Sequence, residues 1–86
     1  MSRGYTLLVA HQVSEQLSAL TPDTRRRFFR LLKQLEADPF RRGEFQQPDE
    51  VGRPLEGVIL REIAVFFRTD HADREIKVLH LRAADA

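Results

Sequence analysis

The sequence predicts an α+β domain in the order β-α-α-β-β-β. A helical hairpin packs on one face of a small mixed, mainly antiparallel sheet. Three observations lead there. From Arg53 to Arg82 three apolar runs rich in β-branched and aromatic residues are separated by short polar joints, the pattern of an antiparallel meander. Upstream, Thr21-Pro22-Asp23 opens a helical periodicity that stops at Asp38-Pro39. Before that, Tyr5 to Ala10 reads as a strand, and a strand followed by a helical crossover tends to return beside later strands.

The elements follow in order. Met1 to Gly4 is expected to fray. Tyr5, Leu7 and Val9 point one way, and Thr6, Leu8 and Ala10 the other. Both faces are largely apolar, so the strand is expected inside the sheet rather than at an edge. Val13, Leu17 and Leu20 then recur at helical spacing in a segment too short to stand without packing. In the next helix Thr21 can cap, Pro22 suits the first position and Asp23 complements the dipole. Phe28, Leu31, Leu32 and Leu35 form its core stripe, and Arg26, Arg30 and Lys33 a basic ridge on another side. Phe40 to Gly52 is read as an irregular connector, because Gly43, Pro48, Gly52 and several polar residues argue against a regular element. Arg61-Glu62 and Asp70 to Arg74 make the two joints of the meander.

Eighty-six residues make one domain, 1–86. Such a chain buries roughly 60–65% of its unfolded surface, enough for a thin core. Without cysteine there is no disulfide framework and no thiol chemistry. No apolar run approaches the ~18–20 residues of a membrane span, and the N-terminus lacks the apolar stretch of a signal peptide. The expectation is a soluble cytoplasmic protein with no membrane partner. The net charge of +1 is too small to imply a nucleic-acid partner, but seven basic and two acidic residues fall between Arg25 and Arg42. This asymmetry either focuses a field on an anionic partner or is a solvated helix face.

The element order, the helix ending Leu35-Glu36-Ala37-Asp38-Pro39-Phe40 and the closing run Val65-Phe66-Phe67-Arg68-Thr69-Asp70 … Ile76-Lys77-Val78-Leu79 resemble the RelE/ParE superfamily of bacterial type II toxins. The segment Phe67 to Glu75 looks like one branch of small RelE-like proteins. The resemblance spans nearly the whole chain, through hydrophobic pattern and a few polar punctuation marks. It implies a growth-inhibiting toxin neutralised by a separate cognate antitoxin. RelE-like members bind the ribosome and cut mRNA. ParE-like members share the fold without that chemistry and poison DNA gyrase, so fold does not choose the activity. A non-toxic protein-interaction domain is the third possibility.

Cleavage through a 2′-hydroxyl needs a base, cations for the phosphorane and an acid for the leaving oxygen. The candidates are Arg61, Arg68 and Arg82 as the cations and His80 for proton transfer, the usual task of an imidazole in such a site. Arg26, Arg30, Lys33 and Arg53 are candidates for RNA or partner binding. The sequence departs from the family pattern: Tyr5 is its only tyrosine, and His80-Leu81-Arg82-Ala83-Ala84 replaces the common closing glycine-His-Arg. The structural alternatives are cross-strand pairing of Arg61 and Arg68 with Glu56, Glu62 or Glu75, and a half-buried His80 aligned with Ile76, Val78 and Arg82. Lys77 would then face away from His80 unless the strand is bulged. His71 is expected in the hairpin tip; metal binding with Asp70 and Asp73 matches no strong ligand spacing. No cofactor is expected. Phe40 and Phe45 are the aromatic residues expected to make exposed contacts.

Overall fold

The computed structural model describes residues 4–84. Met1, Ser2 and Arg3, most of the segment expected to fray, lie outside the described residues, as do Asp85 and Ala86. The order is β1 (Thr6–Val9), α1 (His11–Gln16), a single 3-10 turn (Leu17–Ala19), α2 (Pro22–Ala37), β2 (Phe45–Pro48), β3 (Pro54–Leu60), β4 (Ile63–Asp70) and β5 (Glu75–Ala83). The sheet runs β1-β5-β4-β3-β2. β1 is parallel to β5, and the other neighbours are antiparallel. The expected mixed α+β architecture is present, with one added strand.

That strand is β2. The connector from Phe40 to Gly52 is not irregular throughout: Phe45–Pro48 pairs with Pro54–Gly57. A proline is tolerated there because β2 is an edge strand and Pro48 ends it. Gly57 makes the pairing close, since the Phe45 ring lies 2.4 Å from where a Cβ on Gly57 would sit. The same ring meets Phe66 edge-on at 5.7 Å. β1 corrects a second expectation. It is the opposite edge of the sheet, and Leu8 is 40% exposed beside Lys77. Only one side of β1 faces the helices, and its short length limits the exposed edge.

α2 starts as its residues dictate. The Thr21 hydroxyl accepts the Thr24 N–H at 3.2 Å, and Pro22 and Asp23 fill the first turn. Buried Thr24 donates its hydroxyl to Glu62 at 2.8 Å, tying the helix start to the β3–β4 turn. Arg25 closes the connection before it, donating to the carbonyls of Leu17 and Leu20 at 3.2 and 2.9 Å. At the far end the Asp38 carboxylate accepts the Phe40 N–H at 3.1 Å, and Pro39 stops the helix.

The core lies between the helices and the sheet. Val13, Phe28, Leu31, Leu32 and Leu35 pack on Val58, Ile63, Val65, Phe67, Ile76, Val78 and Leu81, with Leu17 partly buried against them. A smaller cluster of Leu55, Ala64 and Phe66 lies apart from it, with Leu79 packed alongside. No helix among the described residues is long and apolar enough to cross a membrane.

One irregularity sets the site. Phe66 pairs with His80 but Phe67 pairs with Val78, so Leu79 is an extra residue in β5. The bulge resets the alternation. Ile76 and Val78 join the main core before it and Leu81 after it, whereas His80 and Arg82 pair with Phe66 and Ala64 of the smaller cluster. His80 and Arg82 are therefore not on the side of Ile76 and Val78 that simple alternation predicts.

Candidate functional site

A groove of about 550 Å³ opens over the smaller cluster. Its floor is Leu55, Arg68, Leu79, His80 and Arg82; one wall is Ala10 and Gln12, the other the β2–β3 loop from Pro48 to Arg53. Four residues expected to act as a site, Arg53, Arg68, His80 and Arg82, meet here from two strands, β4 and β5, and the β2–β3 loop.

Each is held. The Arg82 guanidinium sits 5.3 Å from the centre of the Phe66 ring, a cation–π contact across β4 and β5. Arg68 is part-buried and donates to Asp49 at 3.0 Å. Arg53 donates to the same carboxylate oxygen at 3.1 Å. The other Asp49 oxygen accepts the N–H groups of Val51 and Arg53 at 2.9 and 2.8 Å. Desolvation works against ionisation of Asp49, but these N–H donors and Arg68 outweigh it and lower its pKa to about 2. Asp49 thus organises the loop and part-neutralises the groove. Three guanidiniums face the carboxylates of Asp49 and Glu50, leaving one net positive charge before His80 is counted.

His80 is oriented by the bulge and by α1. The Gln12 amide nitrogen donates to the Leu79 carbonyl at 2.9 Å and lies 3.2 Å from His80 Nδ1. The carbonyl requires an N–H from that amide, which fixes its orientation. Nδ1 must then accept, so the neutral ring carries its proton on Nε2. In this arrangement the imidazole is a hydrogen-bond donor to anything bound at Nε2.

The remaining expected residues lie elsewhere. Arg61 is not on this patch: it occupies the β3–β4 turn with a left-handed φ of 57° and lies 3.4 Å from Asp23 at the start of α2. Asp23 also holds Arg27 at 3.0 Å and Arg26 at 3.5 Å. The Arg27 hydrogen bond is the main cause of its lowered pKa, with desolvation opposing. Arg26, Arg30 and Lys33 are exposed on α2, as their spacing predicts, around a depression of about 520 Å³ with Pro22, Arg25 and Phe29. Arg30 and Lys33 form no ion pair with another described residue.

His71 is not a ligand of its acidic neighbours. Carboxylate oxygens of Asp70, Asp73 and Glu75 lie within 4.8 Å of one another, while the His71 ring stacks on Phe40 and shares a hydrogen bond of 2.8 Å with the Tyr5 hydroxyl. Sequence reasoning missed Gln12 and Asp49. For Asp49 a signal existed: an aspartate three residues before Gly52 is typical of a side-chain-closed turn. For Gln12 there was none, since its partners are 67 and 68 residues away.

No protein-family description matches the sequence, and no curated protein matches it. Solved structures do. The RelE–RelB complex of the archaeon Pyrococcus horikoshii contains a chain that is 24% identical, with a TM-score of 0.79, 95% of this chain and 98% of that chain being covered. The toxin–antitoxin complex RelBE2 of Mycobacterium tuberculosis matches with a TM-score of 0.68 at 14% identity, over 93% of this chain and 98% of that one. An arginine-to-alanine mutant of Escherichia coli toxin RelE in the free state matches with a TM-score of 0.69 at 11% identity, over 95% and 85%. A two-helix layer on a five-stranded mixed sheet, matched over nearly its whole length, makes this a RelE-like fold.

Proposed function

We propose that this chain is the toxin of a toxin–antitoxin pair, held inactive by a cognate antitoxin, and that it cuts mRNA on the ribosome in the cytoplasm. The observation that carries the reading is the groove that gathers Arg53, Arg68, His80 and Arg82. Two of the similar structures are complexes of a toxin with its antitoxin, which supports the partner.

In the proposed reaction the 2′-oxygen attacks phosphorus, the bond to the 5′-oxygen breaks, and a cyclic phosphate forms. The 2′-proton leaves to water. Arg82 and Arg53 hold the phosphate oxygens, and Arg68 joins them when Asp49 releases it. His80 hydrogen-bonds the phosphorane through Nε2. It protonates the leaving oxygen from Nε2 as the imidazolium, a state in which the Gln12 N–H withdraws from Nδ1 and keeps its bond to the Leu79 carbonyl. Arg61 is proposed only to set the β3–β4 turn, whereas Arg26, Arg30 and Lys33 offer a separate surface to ribosomal RNA or the antitoxin.

The test is induced expression with and without the adjacent gene, mapping mRNA ends by primer extension. Wild type should inhibit growth and generate new ends, and His80→Ala should cleave ~10²–10⁴-fold more slowly. Growth inhibition without new ends would remove the ribonuclease reading. A second reading, a non-catalytic toxin that binds gyrase or another target, would then stand. It is favoured by Asp49, whose carboxylate already occupies Arg53 and Arg68, and by the placement of the only tyrosine outside the groove. A chain that neither inhibits growth nor has a partner gene would be a plain interaction domain.

A further inference from the structure

We propose that Phe40 is a stacking platform for an unpaired base of single-stranded RNA, at one end of the strand that enters the groove. The inference rests on the RNA reading above and adds a binding site to it. Phe40 is 69% exposed, the largest exposure of any described aromatic ring among the exposed hydrophobics. It is nevertheless built in. Its ring stacks on His71 at 4.5 Å with 10° between planes. Tyr5 meets both rings edge-on, Phe40 at 6.4 Å and His71 at 5.6 Å, and its hydroxyl bonds His71 Nδ1 at 2.8 Å. Pro39 precedes Phe40, and the Asp38 carboxylate takes its N–H. Two rings, from the N-terminal strand region and the β4–β5 loop, therefore fix a third at the end of α2 that remains mostly in water.

A fixed exposed ring beside cations suits a base and its phosphate. The cleft next to Phe40, about 340 Å³, is lined by Arg41, Arg42 and Arg68 against a single carboxylate, Glu56. Glu56 already accepts from Arg42 at 3.2 Å and from the Gly43 N–H at 2.6 Å. Arg41 bonds the neutral Gln34 side chain. Arg68 lines both this cleft and the groove, so the two share a wall. A strand with one phosphate at Arg82 and Arg53 passes Arg68 and presents a neighbouring base to Phe40.

The chain has no tryptophan, so Phe40→Trp introduces a single local probe. We would titrate it with a 2′-O-methyl oligoadenylate, which cannot be cut, and with an abasic phosphate chain of equal length. Native chain and Phe40→Ala would be compared by fluorescence anisotropy on the same labelled oligonucleotide, with melting curves confirming that both variants fold. The expected result is quenching by the oligoadenylate and not by the abasic chain, together with affinity about 5- to 100-fold weaker in Phe40→Ala. Binding without quenching, equal affinity of Phe40→Ala and native chain, or no RNA binding at all each overturns the platform. So does quenching by the antitoxin alone, which assigns Phe40 to a protein partner. Because the probe RNA is uncleavable, loss of the ribonuclease activity reads separately: Phe40→Ala that binds normally while the native chain still cleaves mRNA sinks the platform and spares the activity.

Discussion

Asp49 shows what single residues contribute here. It closes its own loop through Val51 and Arg53 and reaches Arg68, nineteen positions on. The local half was legible in Asp49-Glu50-Val51-Gly52-Arg53; the link to Arg68 depends on how β2, β3 and β4 stack and has no sequence signature. Its pKa near 2, below the ordinary 3.8, gives a direction in pH. A carboxylate depressed in the folded state contributes stability that is complete above its unfolded value and is lost as pH falls through the folded one. The Val51 and Arg53 amide signals of the folded chain should hold steady down to about pH 3 and then move, with a midpoint near pH 2. In Asp49→Ala that transition should vanish, and RNA affinity should rise several-fold because Arg53 and Arg68 are released. Unchanged affinity would mean that Asp49 does not compete for the site. Gln12 offers a second residue-scale measurement. Gln12→Leu leaves His80 Nδ1 without its donor, so nitrogen NMR should show mixed ring tautomers where the native chain shows one.

At the scale of elements, α2 was almost fully legible and β5 was not. The α2 cap, its first turn, its core stripe and its stop each depend on neighbours within a few residues, and each forms as expected. Leu32 is 7% exposed in the main core, so Leu32→Ala should cost ~2–5 kcal/mol in denaturant unfolding. A cost under about 1 kcal/mol would mean that the surrounding core collapses into the space. β5 defeated alternation because one inserted residue, Leu79, exchanges the faces of everything after it. Deleting Leu79 makes a sharp test. His80 would still oppose Phe66 and Val78 would still oppose Phe67, now in regular register. The variant should fold, with Leu81 still in the core. It should lose the Gln12–Leu79 bond and with it much of the proposed cleavage rate, whereas an unfolded product would show that the bulge supports the sheet itself. β2 escaped notice for a related reason: four residues ending in proline carry too little pattern to mark a strand until β3 pairs with them.

Across the whole molecule, the two layers present different surfaces. The α2 side shows cations around Phe29, which is 48% exposed. The far side of the sheet shows the groove, the small apolar cluster beneath it, and outlying Leu8, Phe45 and Ile59. A thin core and this much apolar surface suit a chain whose resting form is covered. An antitoxin that covers the groove must exclude RNA; one confined to α2 need not. The proposed control by an antitoxin therefore predicts that the purified pair melts higher than the toxin alone, by an amount that grows with antitoxin concentration. It also predicts that the pair does not bind oligoadenylate until the antitoxin is removed. At a partner concentration of about 100 times Kd the added stability is about 2.7 kcal/mol, well within reach of calorimetry. If the pair forms and still binds RNA as tightly as the free chain, the antitoxin sits on the α2 surface and inhibition must act through ribosome access. If Arg30→Glu with Lys33→Glu abolishes pairing while Arg82→Glu does not, the same assignment follows from the opposite direction.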